Sequence, residues 1–427
     1  MQRMRVRRFG RSLQRWLRRA LWLLLLVLLL GGATYVAQDE TEQVRRFTRL
    51  SEFDFLTWTL DAAGRKLGQA GLRAADYLSE ADRSALVLEY ARLVSETAQA
   101  EQRLMDVTSD PTPGSQSQVA PAAAEVERLR RQMRALEPIV ETVLQEQVAV
   151  ALNDLGLTFA GAPFPPVVFH FSRTPLALIV SPRSVIRQDA DIQLQAALTL
   201  DQQTALERQV EAALDVSALV VPVGGLGTYP TMVNESASIA WLVEVVGHEW
   251  THNYLTLRPL GLSYELSPEL RTMNETAASL MGEVIGRGVL ERYYPDLVPP
   301  PAAPPAEPSP EEPQAFDFRA EMHATRVQVD AMLAQGQIAE AEAYMEAQRI
   351  VFREHGYHIR RLNQAYFAFY GAYADEPAGP AGEDPVGVAV RALWQRSPSP
   401  AAFLRTIAWM NDFGDLQAAL REPVTTR

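Results

Sequence analysis

The sequence predicts an α+β fold that is mostly helical, and three observations carry that reading. Apolar residues recur at i, i+3 and i+4 over most of the chain, the signature of amphipathic helices. β-Branched and aromatic runs broken by turn residues are concentrated in 163–233, enough for a small mixed sheet of three to five strands. Hydrophobic residues make up 47% and charged residues 22%, an ordinary globular balance, and 427 residues are ample for a sizeable core. Cysteine is absent, so burial rather than disulfides must hold the core, and thiolate metal sites and cysteine nucleophiles are excluded.

The chain begins with a basic segment, residues 1–19, that carries eight arginines and no acid. Residues 20–37 follow without a charge; as a helix they rise about 27 Å, close to the hydrocarbon thickness of a bilayer. The expectation is a single-pass membrane anchor over 20–37, N-terminus cytoplasmic and the remainder extracytoplasmic at the cell membrane. The rival is a cleaved signal peptide ending near Ala37. The net charge of −12 divides into +8 on residues 1–37 and −20 on the rest. An acidic body of that size excludes nucleic acid as a partner.

Residues 38–158 read as a helical region interrupted by a polar, Pro-containing linker at 109–124. The first helical stretch spans 41–106, with Ala85, Leu86, Leu88, Ala91, Leu93 and Val94 at helical spacing. The second spans 125–155, with Leu129, Met133, Leu136, Val140, Val143 and Leu144 on one stripe and Pro138 as a kink point. Residues 159–297 form the next unit, with strands expected at 167–171, 176–180 and 218–223, a helix at 199–214, and two further helices at 236–256 and 268–287. Residues 298–315 hold eight of the 28 prolines within 298–313, a polyproline-like insertion. Residues 316–427 read as helices at 316–335, 338–355, 359–372, 386–394 and 400–411, the first pair turned at Gly336.

The segment Gly247-His248-Glu249-Trp250-Thr251-His252 carries an HExxH spacing. On a helix, residues four apart share a face, so the imidazoles of His248 and His252 can meet one tetrahedral zinc at about 2.0–2.1 Å. Glu249 points beside that position, where a carboxylate can take a proton from water and pass it to a leaving amine. Only six histidines occur in the chain, so two at this spacing around a glutamate are a rare coincidence. Ile239, Leu242, Val243 and Val246 give the helix an apolar packing side. The competing reading is a surface helix with two incidental histidines.

A catalytic zinc takes a third protein ligand. Ser267-Pro268-Glu269 opens a helix, with serine as N-cap and proline at its first position, and Glu275 lies within it, 23 residues after His252. Ala277, Ala278, Ser279 and Gly282 are small enough for close approach of two helices. Glu275 is the expected ligand; Glu283 is the rival and Glu269 a weaker one. The expected metal centre is therefore His248, His252 and Glu275 with Zn2+, and Glu249 is the catalytic base.

HEWTH followed by NETAA resembles the gluzincin pattern of zinc metallopeptidases, as in thermolysin-type enzymes, and is loosely similar to a bacterial family described as aminopeptidases. The resemblance covers about 235–288 well and 316–412 loosely, the latter through Asn363-Gln364-Ala365-Tyr366 and on to Tyr370 and Tyr373. It implies a zincin-like domain at 159–297, completed by 316–427, that hydrolyses peptide bonds. The chain departs from the pattern by its proline-rich insertion and by lacking a GxMEN-like exopeptidase motif.

A peptidase also needs a donor for the developing oxyanion. Tyr357 and His358 are the expected pair, with Tyr254 and Tyr366 as further candidates; a Tyr or His at a helix start is equally a packing or capping residue. Glu244, one turn before His248, is either a partner for its second nitrogen or an exposed acid, and Asn253 and Asn274 are weaker candidates for such support. His170 and His323 read as structural. The expected partners are a peptide or protein substrate and, through the N-terminal helix, a membrane. The alternative function is a zincin-like binding or scaffold protein without proteolysis.

Overall fold

The computed structural model describes residues 40–72, 74–109, 112, 115–299, 316–372, 380, 382 and 384–421. Its chain falls into two compact units, Met1–Arg46 and Phe47–Arg427. Of the first, only 40–46 are described, and they are helical, part of α1 (Glu40–Thr48).

The second unit is α+β and mostly helical, as expected. Helices α2 (Phe55–Leu72), α3 (Glu80–Ser109) and α4 (Gln116–Asp154) open it. α3 and α4 pack as a long hairpin, burying Val87, Tyr90, Ala91 and Leu93 of one against Leu129, Met133, Val140 and Leu144 of the other. Leu88, placed on the apolar stripe by its spacing, is exposed; the stripe is instead centred on Val87, Tyr90 and Ala91. α4 is longer than expected, taking in 116–124 of the supposed linker. The alanine-rich run there favours helix, and Pro121 sits near the N-terminus, where it removes a single hydrogen bond.

The strands form two sheets and a hairpin rather than one mixed sheet. β1 (Thr158–Phe159) and β2 (Ala162–Pro163) are the hairpin. β3 (Phe169–Phe171), β8 (Thr231–Val233) and β7 (Gly225–Leu226) make one sheet, β3 parallel and β7 antiparallel to the central β8. β5 (Ala190–Leu194), β4 (Leu176–Pro182) and β6 (Val216–Pro222) make the other, fully antiparallel. Between β5 and β6 lies α5 (Leu200–Leu214), closed at its start by a Thr199–Gln202 capping box.

Helices α6 (Ile239–Thr256), α7 (Pro259–Leu262) and α8 (Pro268–Tyr293) follow, and α6 and α8 pack closely side by side. α9 (Phe318–Ala334) and α10 (Ile338–Glu354) form the hairpin turned at Gly336, whose φ of 75° suits glycine. α11 (Gln364–Tyr370) is shorter than the expected 359–372. Residues 359–363 are held outside the helix because Arg360 and Arg361 reach the buried Glu207 of α5, and Asn363 caps α11 through the Tyr366 N–H. α12 (Pro385–Arg396), α13 (Pro400–Ile407) and α14 (Phe413–Arg421) finish the chain. One apolar cluster runs from α3 and α4 through α6 and α8 into α12–α14, so the α6–α8 pair lies in the core.

The expectation of a single-pass, extracytoplasmic membrane protein is corrected here. Among the described residues no helix is long and apolar enough to cross a membrane: α4 is long but carries many charges, and α6 is interrupted by Glu244, His248, Glu249 and His252. The segment 20–37 on which that expectation rested lies outside the described residues. The proline-rich 300–315, too, lies outside them.

Candidate metal centre

Both helices of the centre have sequence-set beginnings. Ser238 caps α6 by accepting from the Trp241 N–H at 3.2 Å, and Ser267 caps α8 by accepting from Leu270 N–H at 3.2 Å. Their approach depends on glycine. A Cβ on Gly282 would lie 2.9 Å from Glu244 O and 3.0 Å from His248 Cβ, and one on Gly247 3.0 Å from Ile285 Cβ. That closeness brings a histidine face of α6 against a glutamate of α8.

The result is a triangle of ligand atoms. His248 Nε2 and His252 Nε2 lie 3.0 Å apart, and each is 3.5 Å from Glu275 Oε2. Zinc bonds of about 2.0–2.1 Å at the tetrahedral angle put ligand atoms about 3.3–3.4 Å apart, so the three atoms stand at the corners such an ion requires. Glu275 Oε2 is buried and, among the described residues, accepts no hydrogen bond, an orphaned acceptor that an ion would satisfy. Its other oxygen accepts from Tyr264 Oη at 2.5 Å. His252 Nδ1 lies 2.8 Å from Asn274 Oδ1, which makes Nδ1 the protonated nitrogen and leaves Nε2 a ligand.

Charge follows the same geometry. Burial lowers the affinity of His252 for a proton, but the Glu275 carboxylate outweighs it and raises the imidazole to about 9. Burial would raise Glu275; His252 and His248 outweigh that and hold it well below the usual carboxylate range. Glu249, also buried, is pushed up by desolvation against the pull of both histidines.

These groups line a cavity of about 810 Å³. One wall is the 224–228 segment around β7, whose glycines let backbone come close to Glu249: a Cβ on Gly225 would fall 2.5 Å from Glu249 Oε1, and one on Gly227 3.4 Å from Glu249 Oε2. Phe369 and Tyr370 of α11 form another wall.

No known protein family, curated protein or solved structure matches this chain. His248, His252, Glu275 and Glu249 come together. Glu283 and Glu269, the rival ligands, are exposed on α8. Glu244 lines the cavity, and Asn274 supports His252, whereas Asn253 ties α6 to Thr228 O and Thr231 Oγ1.

Tyr357 and His358 are not brought to the centre. Both are exposed, and Tyr357 stacks on Phe318 with ring centroids 4.4 Å apart, in the α9–α10 cluster and outside the cavity lining. Tyr254 packs under Arg258, and Tyr366 against Tyr370, also outside it. Among the described residues, Tyr264 and Tyr370 are the tyrosines of the cavity lining. Sequence reading passed over Tyr264; its position in the connection between the two ligand-bearing helices was the available signal.

A second His–Glu group, Glu137, Glu141 and His170, lies between α4 and β3. Glu141 accepts from Lys66 Nζ at 2.5 Å, from Gln69 Nε2 at 2.9 Å and from the Phe171 N–H at 2.7 Å, and pairs with His170 Nδ1 at 2.7 Å. His170 is thus part of a packed ionic network, consistent with its structural reading. His323 lies on α9, away from the cavity lining.

Proposed function

We propose that the chain is a zinc-dependent peptidase of the gluzincin type, with a zincin-like domain built on α6 and α8. The observation that carries this reading is the convergence of three ligand atoms on one point inside a cavity, with the carboxylate of Glu249 on the same helix facing that cavity. His248, His252 and Glu275 would hold the ion, which supplies Lewis acidity that polarises a carbonyl and makes water a nucleophile near neutral pH. Glu249 takes the proton of the attacking water and returns it to the leaving amine; its burial favours proton uptake. Asn274 fixes the tautomer of His252, and Tyr264 steadies Glu275. Tyr370, on the cavity wall, carries a hydroxyl that could donate to an oxyanion.

The choice of a peptide rests on β7. It is the outer strand of its sheet, and it runs along the cavity wall beside Glu249. An extended chain could pair with such an edge by main-chain hydrogen bonds and so lie along the cavity wall.

Metal content and cleavage test this together. The full chain should carry about one zinc, lost in His248→Ala and Glu275→Ala and kept in Glu249→Gln. Cleavage of a mixed peptide library by wild type should fall at least about hundredfold in Glu249→Gln. Zinc bound with no cleavage of any peptide would overturn the peptidase reading in favour of a binding or scaffold role; no zinc would overturn the metal centre itself.

A further inference from the structure

One acid in the cavity stands apart from the metal ligands. β5 is an outer strand, and its side chains alternate: Ala190, Ile192 and Leu194 are buried, while Asp191 and Gln193 face the cavity. Residues 51–53 run alongside β5, with Phe53 N–H donating to Gln193 O at 2.9 Å and Gln195 N–H to Ser51 O at 2.8 Å. That pairing brings Phe55 to the same wall.

The Asp191 carboxylate accepts from Gln193 Nε2 at 2.6 Å and from Gln188 Nε2 at 3.4 Å. Both donors are neutral, and among the described residues no Lys, Arg or His pairs with it. Arg271, the cation that acts on it through space, is itself engaged by Glu265 at 2.8 Å. Gln193 Oε1 beside it accepts no hydrogen bond among the described residues.

The surroundings sharpen this. The cavity is lined by the carboxylates of Asp191, Glu244, Glu249, Glu265 and Glu275 against the guanidinium of Arg271, so it stays negative even with a divalent ion bound between neutral imidazoles. The Asp191 side chain is exposed to this open cavity, where Arg271 draws on its charge and Glu265 and Glu275 oppose it. A carboxylate held without a counter-ion in such a place gains most from a cation that arrives with the ligand.

We propose that Asp191 is the specificity-determining residue of the cavity, receiving a cationic group of the bound peptide, an ammonium or a guanidinium. The Phe55 ring offers an apolar wall for the stem that carries the charge. That the occupant is a peptide rests on the peptidase reading; the charge preference rests on Asp191 and its neighbours.

The test is calorimetric binding of short peptides to the zinc-loaded full chain bearing Glu249→Gln, so that no turnover intervenes. Each peptide is offered with lysine or norleucine at one position, and with its amino terminus free or acetylated. A cation-bearing peptide should bind about tenfold or more tighter than its neutral counterpart, and Asp191→Asn should collapse that ratio towards one. A preference that follows the side chain identifies a basic residue as the source; one that follows the terminus identifies the α-amine. Equal binding of charged and neutral peptides, or a preference that survives Asp191→Asn, overturns the proposal. Should Asp191→Asn fail to fold, the salt dependence of the ratio decides: a preference unchanged between low and high salt overturns it. Charge-selective binding without cleavage by the Glu249 protein overturns only the peptidase reading, whereas cleavage without charge preference overturns only this proposal.

Discussion

Substituting Gly282 by alanine strains the contact on which the candidate metal centre depends. The added Cβ would stand 2.9 Å from Glu244 O, 3.0 Å from His248 Cβ and 3.1 Å from His248 N. Unstrained contacts between heavy atoms of this kind lie at about 3.5–4.0 Å, so α6 and α8 must part by about half an ångström or more. Two of the three obstacles are backbone atoms, and no rotamer relieves them. Alanine recovers about 0.5–1 kcal/mol of helix propensity, while overpacking of a filled core costs about 1–3 kcal/mol. The net expectation is a loss of about 1–2 kcal/mol, read by urea unfolding. The displacement falls on the distance between His248 Nε2 and Glu275 Oε2, now 3.5 Å, so zinc affinity should drop about tenfold for each 1.4 kcal/mol of strain carried into the site. Gly288→Ala is the control on the same helix: its Cβ would lie 3.6 Å from Ala151 Cβ, an ordinary contact, so the variant should be stabilised by up to about 1 kcal/mol. If Gly282→Ala matches wild type in stability and zinc affinity, the close approach of the helices does not set the geometry of the site.

Three further outcomes follow from charge. His252 in the metal-free protein is raised to about 9 by Glu275, so zinc binding must displace a proton below that pH; apparent affinity should climb about tenfold per pH unit up to about 9, and a plateau from near 6.5 would refute the coupling. Glu141→Gln leaves the buried Lys66 ammonium without its counter-ion and should cost about 3 kcal/mol of unfolding free energy, where a loss under about 0.5 kcal/mol would show the pair to be unimportant. Glu137 is raised from 4.5 to about 7 by burial and by the Glu141 carboxylate. Its native form keeps a proton that the unfolded chain gives up between those values, so its contribution to stability is present below about 4.5 and lost as pH rises through 7. Glu137→Gln should therefore be more stable than wild type at pH 8, with the gap closing towards pH 5 in thermal unfolding.

The candidate ligand set was legible because each part of it is a local signal. His248 and His252 are one helical turn apart, and Glu275 sits in a helix whose serine cap and N-terminal proline announce its start. The small residues after Glu275 pointed to a close crossing, and Gly282 is where that crossing is tightest. The tyrosines of the cavity were not legible in the same way. Tyr357 and His358 were chosen for standing at an expected helix start, but Arg360 and Arg361 are drawn to Glu207 and Glu211 and the helix begins only at Gln364. Asp191 left no local trace either, since it reaches the cavity only through the pleat of β5 and the position of its sheet. The two separate three-stranded sheets replace the single mixed sheet for a related reason, because strand neighbours are chosen by tertiary packing and not by their order in the chain.

Two clusters in this chain join histidine to glutamate, and composition alone does not separate them. At Glu141 both carboxylate oxygens are already taken, one by Lys66 and Gln69, the other by the Phe171 N–H and His170. Burial pushes that carboxyl up, and the hydrogen bond from His170 together with the Lys66 ammonium more than offsets it, so it stays ionised and paired. An ion arriving there would have to displace an ammonium and a backbone donor, each making a charge-assisted hydrogen bond in a desolvated place. At Glu275 one oxygen is held by Tyr264 and the other is turned, without a hydrogen bond among the described residues, towards two ring nitrogens at equal distance. A buried acceptor left unmet costs stability unless a ligand meets it. What marks α6 and α8 as the candidate metal centre is thus the unmet oxygen and the spacing around it, and the fully satisfied Glu141 network serves instead to join α2, α4 and β3.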